Sequence, residues 1–386
     1  MAKTVAILGA TGSVGLQALD VAQRSGYKVD FLSANRDASA LEAAVRRFGA
    51  KYAAMADEAS AADLRLRLAD TDVKVLPGSD GILEGISLSS SEVVVNSIIG
   101  EAGLMPTLAV IESGKRLALA NKESLVIAGD IVMEKARVAG VEILPVDSEH
   151  SAIFQSLKAG RREEIKSIIL TASGGPFYGK SKGELLAVTL EDTLAHPTWR
   201  MGRKITVDSA TLMNKGFEVI EAAHLFGVGP EKIKVVIHRE SILHSAVEYI
   251  DNSVIGEFSV PDMRMCVKYA VDYPDRRECA IEALDLVKIG KLTFAEPDCE
   301  AFPLLPLAAR AIGEGGAMCA VLNASDEIAV GAFLEGKIPF VGISDTVISV
   351  YEKMGYAKSY TSLEDIISAD RQARRIALEY VKEKFS

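Results

Sequence analysis

The feature that most constrains the fold is a glycine-rich loop directly behind an apolar stretch near the N-terminus. Residues 3–8 read as a buried strand, Gly9, Gly12 and Gly15 follow, and a helical pattern comes next. Glycines let the backbone turn tightly and approach a pyrophosphate, and the N-terminus of the helix presents N–H groups to it. We therefore predict a dinucleotide-binding loop, although its second glycine lies one place later than usual. The alternative is a tight strand-to-helix turn that binds nothing.

Short apolar stretches alternate with helical patterns over residues 1–150. Beyond the first strand, this alternation predicts strands near 28–33, 73–76, 92–96, 116–120 and 141–146. Strands separated by helices are typical of an α/β domain with a Rossmann-like, doubly wound parallel sheet.

The rest of the chain predicts three further regions. Residues 151–285 read as an α+β domain, 286–305 as a connecting segment and 306–386 as a C-terminal helical bundle. Within the α+β domain, 205–227 reads as one amphipathic helix with a polar start. Two strands around Asp251-Asn252-Ser253 read as an antiparallel hairpin, and the sheet they build could support dimerisation.

Composition and charge argue against several classes of protein. The net charge of −10 disfavours a nucleic-acid partner, so a phosphorylated ligand would need a local cationic pocket. No apolar run reaches the ~18 residues of a membrane span. The chain enters a strand almost at once, so we expect no signal or transit peptide. Four cysteines without a CxxC pair indicate free thiols in a reducing cytoplasm.

A second informative stretch covers residues 144–155. It reads as an apolar strand that ends in Asp147-Ser148-Glu149. Residues two apart on a strand point to the same side, so we expect the two carboxylates to converge. Carboxylates that close repel each other unless a cation or a proton lies between them. Hard oxygen ligands suit Mg²⁺ or Mn²⁺, and the stretch therefore predicts a metal site.

Glu218 is the best candidate for a further metal ligand. It follows Asn214 and Lys215 by four and three residues, so all three share one face of a helix. An anion-binding pair beside a carboxylate indicates a substrate site, and the alternative is an exposed ion pair. Ser209 is predicted to start this helix. Its hydroxyl would then be the N-cap, a hydrogen-bond donor to a phosphate, or both.

Three other segments carry side chains suited to a ligand. Ser173, followed by two glycines behind a buried strand, could cradle a phosphate, unless this is an ordinary loop. The segment 196–203 contains His196 and Trp199, large groups outside any periodic element, which indicates a lid. Lys122 lies at the C-terminal end of a strand, where open α/β sheets bind ligands.

The end of the second strand bears on the choice of cofactor. NAD sites usually place an acidic residue there to hold the ribose 2′-hydroxyl. Here Asn35 and Arg36 fit a 2′-phosphate better, which favours NADPH. Asp37 weakens the preference, unless it caps the next helix.

Long motifs of this chain resemble the 1-deoxy-D-xylulose 5-phosphate reductoisomerase family. The resemblance runs in order from residue 5 to about 264, through GATGSVG, ALANKESLV, LPVDSEHSAIFQ, SGGPF, HPTWRMGRKITVDSATLMNKGFEVIEA, HRESILHSAVEY and PDMR. The family usually has Gly-Lys-Asn where this chain has Asn35-Arg36-Asp37, which leaves NADPH preferred but its selectivity over NADH open.

The resemblance implies a reaction and a set of residues. The substrate would be 1-deoxy-D-xylulose 5-phosphate and the product 2-C-methyl-D-erythritol 4-phosphate, formed by retro-aldol cleavage, re-ligation and hydride reduction in the non-mevalonate isoprenoid pathway. The metal ligands would be Asp147, Glu149 and Glu218. The phosphate would contact Ser173, Ser209, Asn214 and Lys215. The sugar and lid contacts would come from Lys122, Ser148, His196 and Trp199.

The same resemblance implies the cofactor site, the catalytic groups and the assembly. NADPH would contact Thr11, Gly12, Ser13, Val14, Asn35, Arg36, Asp37, Asn121, Glu123 and Gly202. The catalytic residues would be Lys122, Glu149 and His196. The general base stays open among Glu149, Lys122 and a metal-bound water. The family also implies a homodimer.

Two other functions fit some of these features. A metal-dependent aldolase or isomerase could retain a nucleotide fold, and it would not oxidise NADPH when substrate is added. A non-catalytic NADPH-binding sensor or scaffold would not need Asp147, Glu149 and Glu218 to converge.

Overall fold

The structure is a computed structural model that describes residues 3–196, 199 and 201–385. It divides into two compact units. The first comprises residues 1–124, 130–151 and 262–282, and the second comprises 125–129, 152–261 and 283–386. Among the described residues, no helix is both long enough and apolar enough to cross a membrane.

The elements are numbered in chain order. The strands are β1 Thr4–Leu8, β2 Lys28–Ala34, β3 Tyr52–Met55, β4 Lys74–Pro77, β5 Val93–Asn96, β6 Arg116–Leu119, β7 Ile143–Pro145, β8 Ile165–Ala172, β9 Ile233–Ile237, β10 Leu243–Tyr249 and β11 Val254–Phe258. The helices are α1 Ser13–Ser25, α2 Ala38–Phe48, α3 Glu58–Arg67, α4 Gly78–Leu88, α5 Leu104–Glu112, α6 Glu123–Ala139, α7 Ser148–Ser156, α8 Lys182–Leu185, α9 Leu190–Leu194, α10 Arg203–Ala210, α11 Met213–Phe226, α12 Met263–Asp272, α13 Leu286–Ile289, α14 Leu304–Glu314, α15 Met318–Leu334, α16 Phe340–Lys353 and α17 Leu363–Phe385.

The first unit is built on a seven-stranded sheet. Its order is β4-β3-β2-β1-β5-β6-β7, and its strand pairs are parallel. The chain runs outward from β1 in both directions, so the strand order reverses beside β1, and such reversals are where open α/β sheets bind ligands. The predicted doubly wound sheet is confirmed. β3 was not predicted from the sequence.

The helix α12 belongs to the first unit although it comes late in the chain. It packs on α1, and a buried polar network fixes it there. The hydroxyl of Tyr27 donates to Asp272 at 2.6 Å, and the ammonium of Lys268 donates to the same carboxylate at 2.8 Å. Such a buried carboxylate is tolerated because each of its oxygens accepts a hydrogen bond and a cation lies beside it.

The second unit contains a four-stranded mixed sheet. Its order is β11-β10-β8-β9, with β10 antiparallel to both β11 and β8, and with β8 parallel to β9. The predicted hairpin of β10 and β11 is therefore confirmed. The single helix predicted over 205–227 is wrong. The chain forms α10 and α11 instead, because Leu212 adopts a left-handed conformation with φ 59° that no helix continues through.

The C-terminal helices complete the second unit. α15 packs against both α16 and α17, and most of its length is buried. Ser362 caps the last helix, since the backbone N–H of Asp365 donates to the Ser362 hydroxyl at 3.1 Å. The C-terminal helical region is as predicted.

Candidate functional site

The glycine loop of the first unit leaves no room for side chains at two positions. Gly9 has φ 76°, and a Cβ atom there would lie 2.8 Å from the Ser97 carbonyl oxygen. A Cβ atom at Gly15 would lie 2.1 Å from the Gly9 carbonyl oxygen. The loop and the first turn of α1 are thus in direct backbone contact, which is the close approach that pyrophosphate-binding loops require.

The N-terminus of α1 is open to an anion. Its N-cap, Gly12, is extended and has no side chain to occupy the N–H groups of the first turn. Thr11, Ser13 and Val14 are partly or fully exposed around it. The structure therefore brings together Thr11 to Val14 at a helix end whose free donors and dipole favour a phosphate.

The end of β2 presents a cation. Asn35, Arg36 and Asp37 are all exposed, and the Arg36 side chain keeps 79% of its surface while lying 3.7 Å from Asp57. The Asp37 carboxylate accepts a hydrogen bond of 2.9 Å from the N–H of Ala40. Asp37 is therefore the N-cap of α2, which resolves the alternative that the sequence left open.

The segment after β6 forms a buried polar cluster. The Asn121 amide donates to the Gly100 carbonyl oxygen at 3.0 Å and to the Glu123 carboxylate at 2.9 Å, and its oxygen accepts from the N–H of Ser124. The Lys122 ammonium donates to Asp147 at 2.9 Å. Both Asn121 and Lys122 are buried, so the predicted ligand-binding end of β6 carries fixed side chains.

The acidic stretch after β7 differs from the prediction. The strand ends at Pro145, and Ser148 and Glu149 begin α7. The Asp147 carboxylate accepts from the N–H of Glu149 at 3.1 Å, which is the bond of a helix cap. The positions of the two carboxylates are therefore set by the start of a helix and not by the alternation of a strand. Within the first turn of this helix, the Ser148 hydroxyl donates to Glu149 at 2.6 Å.

Two buried residues, one in each unit, escaped the sequence analysis. The imidazole of His150 is fully buried, and its Nδ1 lies 2.9 Å from the Asp147 carboxylate. Glu221, one turn beyond Glu218 on α11, is also buried. Helical spacing is the signal that could have found both, since His150 lies three residues from Asp147 and Glu221 three residues from Glu218.

In the second unit, the Ser173-Gly174-Gly175 loop leaves β8 in an unusual conformation. Gly174 and Gly175 have φ 77° and φ 64°, which favour glycine. The Ser173 hydroxyl accepts from the N–H of Gly175 at 3.3 Å and lies 3.1 Å from Nε2 of His196. The structure thus brings Ser173 and His196 together.

The imidazole of His196 is held neutral by its surroundings. Burial, and then the nearby charge of Arg239, lower its pKa to about 4. Its Nδ1 accepts from the N–H of Trp199 at 3.0 Å, so the proton is assigned to Nε2, which faces Ser173. The Trp199 ring lies 6.3 Å from the His244 ring. Three members of the predicted lid segment lie outside the described residues: Pro197, Thr198 and Arg200.

The helix α11 carries the predicted Asn/Lys/Glu face. The Asn214 amide donates to Glu218 at 2.6 Å, and the Lys215 ammonium contacts the other carboxylate oxygen of Glu218. Lys215 and Glu218 are buried, so the alternative of an exposed ion pair is wrong. Ser209 does not start this helix. It lies near the end of α10, where its hydroxyl donates to the Ile205 carbonyl oxygen at 2.9 Å. Gly202 is the N-cap of α10.

Profiles of one protein family match most of the chain. The profile of 1-deoxy-D-xylulose 5-phosphate reductoisomerase matches residues 5–129. The profile of the 1-deoxy-D-xylulose 5-phosphate reductoisomerase C-terminal domain matches 143–226, and that of the DXP reductoisomerase C-terminal domain matches 258–376.

Two relatives are similar to the chain over nearly its full length. A 1-deoxy-D-xylulose 5-phosphate reductoisomerase from Acetivibrio thermocellus is 51% identical over 382 residues, which cover 99% of this chain and 100% of that one. One from Clostridium botulinum (strain Loch Maree) is 48% identical over 387 residues, which cover 99% of each chain.

Solved structures give the same result. The 1-deoxy-D-xylulose 5-phosphate reductoisomerase from Zymomonas mobilis in complex with NADPH has a TM-score of 0.92 at 43% identity and covers 99% of this chain and 100% of its own. A DOX-P reductoisomerase in complex with NADPH, fosmidomycin and magnesium has a TM-score of 0.94 at 37% identity and covers 100% of both chains. The chain belongs to the 1-deoxy-D-xylulose 5-phosphate reductoisomerase family.

Proposed function

We propose that the protein is an NADPH-dependent oxidoreductase and isomerase that converts 1-deoxy-D-xylulose 5-phosphate into 2-C-methyl-D-erythritol 4-phosphate. This reaction is a step of the non-mevalonate isoprenoid pathway. The observation that carries the proposal is 51% identity over 99% of the chain to a named reductoisomerase. Mass spectrometry and ¹³C NMR of the product test it, because an aldolase would release fragments and a sensor would return the substrate unchanged.

Magnesium would be held by carboxylates. Asp147, Glu149 and Glu218 offer carboxylate oxygens, which are the ligands that Mg²⁺ and Mn²⁺ prefer. A DOX-P reductoisomerase of 36% identity has been solved in complex with magnesium, which supports this choice of metal. When bound, the ion would polarise the ketone of the substrate. Lys122 and His150 keep the Asp147 carboxylate in one orientation, as the partners of metal ligands do.

The pyrophosphate and 2′-phosphate of the cofactor would lie on the first unit. The pyrophosphate fits the open end of α1, where a Cβ atom at Gly15 would fill the space that the backbone needs. NADPH supplies hydride when bound. The proposed contacts are Thr11, Gly12, Ser13 and Val14 at the pyrophosphate, Asn35, Arg36 and Asp37 at the 2′-phosphate, and Asn121, Glu123 and Gly202 toward the nicotinamide.

We expect Arg36→Gln to raise the KM for NADPH about tenfold and to leave the KM for NADH nearly unchanged. The exposed guanidinium is the cation offered at the end of β2, and only NADPH carries the extra phosphate. Steady-state kinetics with both cofactors would measure this. Arg67→Gln is the matched control, because Arg67 is also a surface arginine paired with an aspartate, Asp63. Equal changes for both cofactors would contradict the role of Arg36.

The phosphate of the substrate would bind residues of the second unit, all of them within the region 151–285 that we propose as the substrate-binding region. The proposed contacts are Ser173, Ser209, Asn214 and Lys215. Lys215 brings a buried ammonium, and this supplies the local positive charge that a phosphate needs in a chain of net charge −10. Binding this group, remote from the bond that breaks, would supply energy for orienting the substrate.

Three side chains are proposed to act on the sugar itself: Lys122, Glu149 and His196. Lys122 and Ser148 would contact the sugar hydroxyls. His196 would bind as a neutral donor through Nε2, since its low pKa keeps it unprotonated near pH 7. Trp199 would cover the bound sugar and exclude water.

We further propose that the protein is a homodimer that pairs through the sheet of the second unit. β11 ends the sheet order, and Val254, Ile255 and Phe258 on it remain 40 to 54% exposed. Exposed apolar edge strands are a template for pairing with another chain. Phe258→Asp should therefore lower the mass seen by light scattering to that of a monomer. Leu66→Asp, at another exposed apolar residue, should not lower the mass. An unchanged dimer in Phe258→Asp would exclude this edge.

Charge and cysteine chemistry support two further proposals: the protein has no nucleic-acid partner, and it is located in the cytoplasm. The net charge of −10 makes a nucleic-acid partner unfavourable. Among the described residues, Cys266, Cys279, Cys299 and Cys319 form no disulfide, which fits a reducing cytoplasm.

A further inference from the structure

Arg239 clamps the Ser173–Gly175 loop through hydrogen bonds to two of its carbonyl groups. It lies two residues after β9, and its Nη1 donates to the Ser173 carbonyl oxygen at 2.7 Å and to the Gly175 carbonyl oxygen at 2.6 Å. Both distances are at the short end for N–H···O bonds, as expected for a charged donor. One guanidinium nitrogen therefore holds two carbonyl groups of the same short loop.

The clamp fixes the direction of a backbone donor. A trans peptide is planar, with its carbonyl and its N–H pointing in opposite directions. Holding the Ser173 carbonyl against Arg239 therefore directs the N–H of Gly174 away from Arg239. Arg239 also holds the Gly175 carbonyl. The peptide of that carbonyl has no N–H to orient, because the next residue is Pro176. Gly174 thus supplies the donor that the clamp orients, beside the Ser173 hydroxyl.

The clamp stabilises the loop because its two glycines have much conformational freedom to lose on ordering. Gly174 and Gly175 both occupy the left-handed region, and glycine has the largest conformational freedom to lose. Gly175 also packs so closely that a Cβ atom there would lie 2.5 Å from the Ser209 carbonyl oxygen. Without the guanidinium, two carbonyl groups would lose a charged partner and the loop would regain its freedom.

Arg239 is itself held in place. Its Cζ lies 5.1 Å from the centroid of the Tyr178 ring, which is within the range of a cation–π contact. Tyr178 belongs to the same loop region, so the arginine is fixed between β9 and the chain that it orders. A fixed donor costs little entropy when a ligand binds, which is the basis of preorganisation.

We infer that Arg239 is a positioning residue for the substrate phosphate, which it serves by holding the Ser173–Gly175 loop so that the Gly174 N–H and the Ser173 hydroxyl face the phosphate oxygens. The inference rests on the proposed function, since it assigns the phosphate of that substrate to this loop. Arg239 does not contact the phosphate in this arrangement. It acts through the loop, and its charge also lies close to His196.

Kinetics of two variants test the inference. Arg239→Gln should raise the KM for 1-deoxy-D-xylulose 5-phosphate about 10- to 100-fold and lower kcat by a smaller factor. The Kd for NADPH should not change. Arg239→Lys keeps the charge but not the planar fork, so it should recover part of the affinity. Arg162→Gln is the matched control, because Arg162 also donates to a loop carbonyl, that of Gly227, at 2.8 Å. This control should keep the wild-type KM.

A second readout separates positioning from mere stability. NMR titration of the His196 imidazole should give a higher pKa in Arg239→Gln than in wild type, because a nearby positive charge is removed, and a smaller rise in Arg239→Lys. Thermal unfolding of the same variants completes the separation, because a raised KM at an unchanged unfolding temperature is a local effect. Wild-type KM in Arg239→Gln, or an equal rise in Arg162→Gln, would overturn the inference.

Binding of inorganic phosphate tests the role of Arg239 independently of the proposed reaction. ³¹P NMR with inorganic phosphate measures occupancy of the loop without turnover. Weaker phosphate binding in Arg239→Gln than in wild type would support the clamp even if the wild-type protein failed to turn over 1-deoxy-D-xylulose 5-phosphate. Equal phosphate binding in both proteins, beside normal wild-type turnover, would overturn the clamp and leave the proposed function standing.

Discussion

Glu149→Gln should lower the turnover rate about 10³-fold, which corresponds to about 4 kcal/mol of transition-state stabilisation. Glutamine has the size of glutamate, so the packing at the start of α7 should persist. The change removes one negative charge and one oxygen ligand from the proposed magnesium site. The Ser148 hydroxyl, which donates to Glu149 at 2.6 Å, can still donate to the amide oxygen.

The measurement is the initial rate of NADPH oxidation over a magnesium titration. We expect a lower maximal rate and a higher magnesium requirement, with an unchanged circular dichroism spectrum and an unchanged Kd for NADPH. Glu163→Gln provides the control, because Glu163 is an exposed glutamate 69% accessible in its side chain. A Glu149→Gln rate within about threefold of wild type would remove Glu149 from the metal site, since such a change is only about 0.7 kcal/mol.

Gly15→Ala should weaken NADPH binding about 100-fold or more. The new methyl group would lie 2.1 Å from the Gly9 carbonyl oxygen and 2.8 Å from the Cα of Ala10. A Cβ atom cannot rotate away, so α1 must move off the end of β1. Displacements of about 1 Å in a binding site cost on the order of 100-fold. The overpacking should also reduce the free energy of unfolding by about 1–3 kcal/mol.

A fluorescence titration with NADPH, followed by thermal unfolding, would measure both effects. Gly331→Ala is the matched control, because this glycine lies inside α15 with no heavy atom within 4 Å of an added Cβ. We expect it to bind NADPH normally and to gain about 0.5–1 kcal/mol from helix propensity. Normal NADPH affinity in Gly15→Ala would show that α1 does not carry the pyrophosphate.

The strands of the first unit could be predicted because of their burial. Helices cover both faces of a parallel sheet, so a strand such as β5, Val93–Asn96, reads as a continuous apolar run. β3, with the sequence YAAM, could not be found in this way. It is four residues long, and its two alanines favour helices over strands.

The break between α10 and α11 had no local signal. The chain turns at Leu212, which adopts φ 59° although neither glycine nor proline marks the position. Leucine favours helices, so the periodicity of the flanking residues suggested one long helix. Tertiary packing imposes this break, since both helices bury nearly all of their apolar residues. Ser209 was consequently assigned to the wrong end of a helix.

The acidic stretch shows that a wrong secondary-structure prediction can still lead to the same candidate metal ligands. Alternation along a strand was the wrong geometry for Asp147 and Glu149, because the strand ends at Pro145. An aspartate followed by a serine and a glutamate is also a typical helix start, and that signal was present. The residue types alone were enough to predict a carboxylate site for a metal, and this site stays a proposal.

Contacts between distant segments could not be predicted at all. Arg239 reaches the carbonyl of Ser173 across 66 residues of chain, and His196 reaches the Ser173 hydroxyl across 23. No periodicity relates these positions. The sequence could identify Ser173 and His196 as candidates by their residue types, but the arginine behind the loop becomes visible only in the fold.

NADPH absorbance in purified protein given 1-deoxy-D-xylulose 5-phosphate and magnesium, and then given excess EDTA, tests the proposed reaction most directly. We expect oxidation of one NADPH for each molecule of substrate, no oxidation without substrate, and loss of the rate when EDTA removes the metal. The absence of substrate-dependent oxidation, in protein shown to bind NADPH, would contradict the proposed reaction.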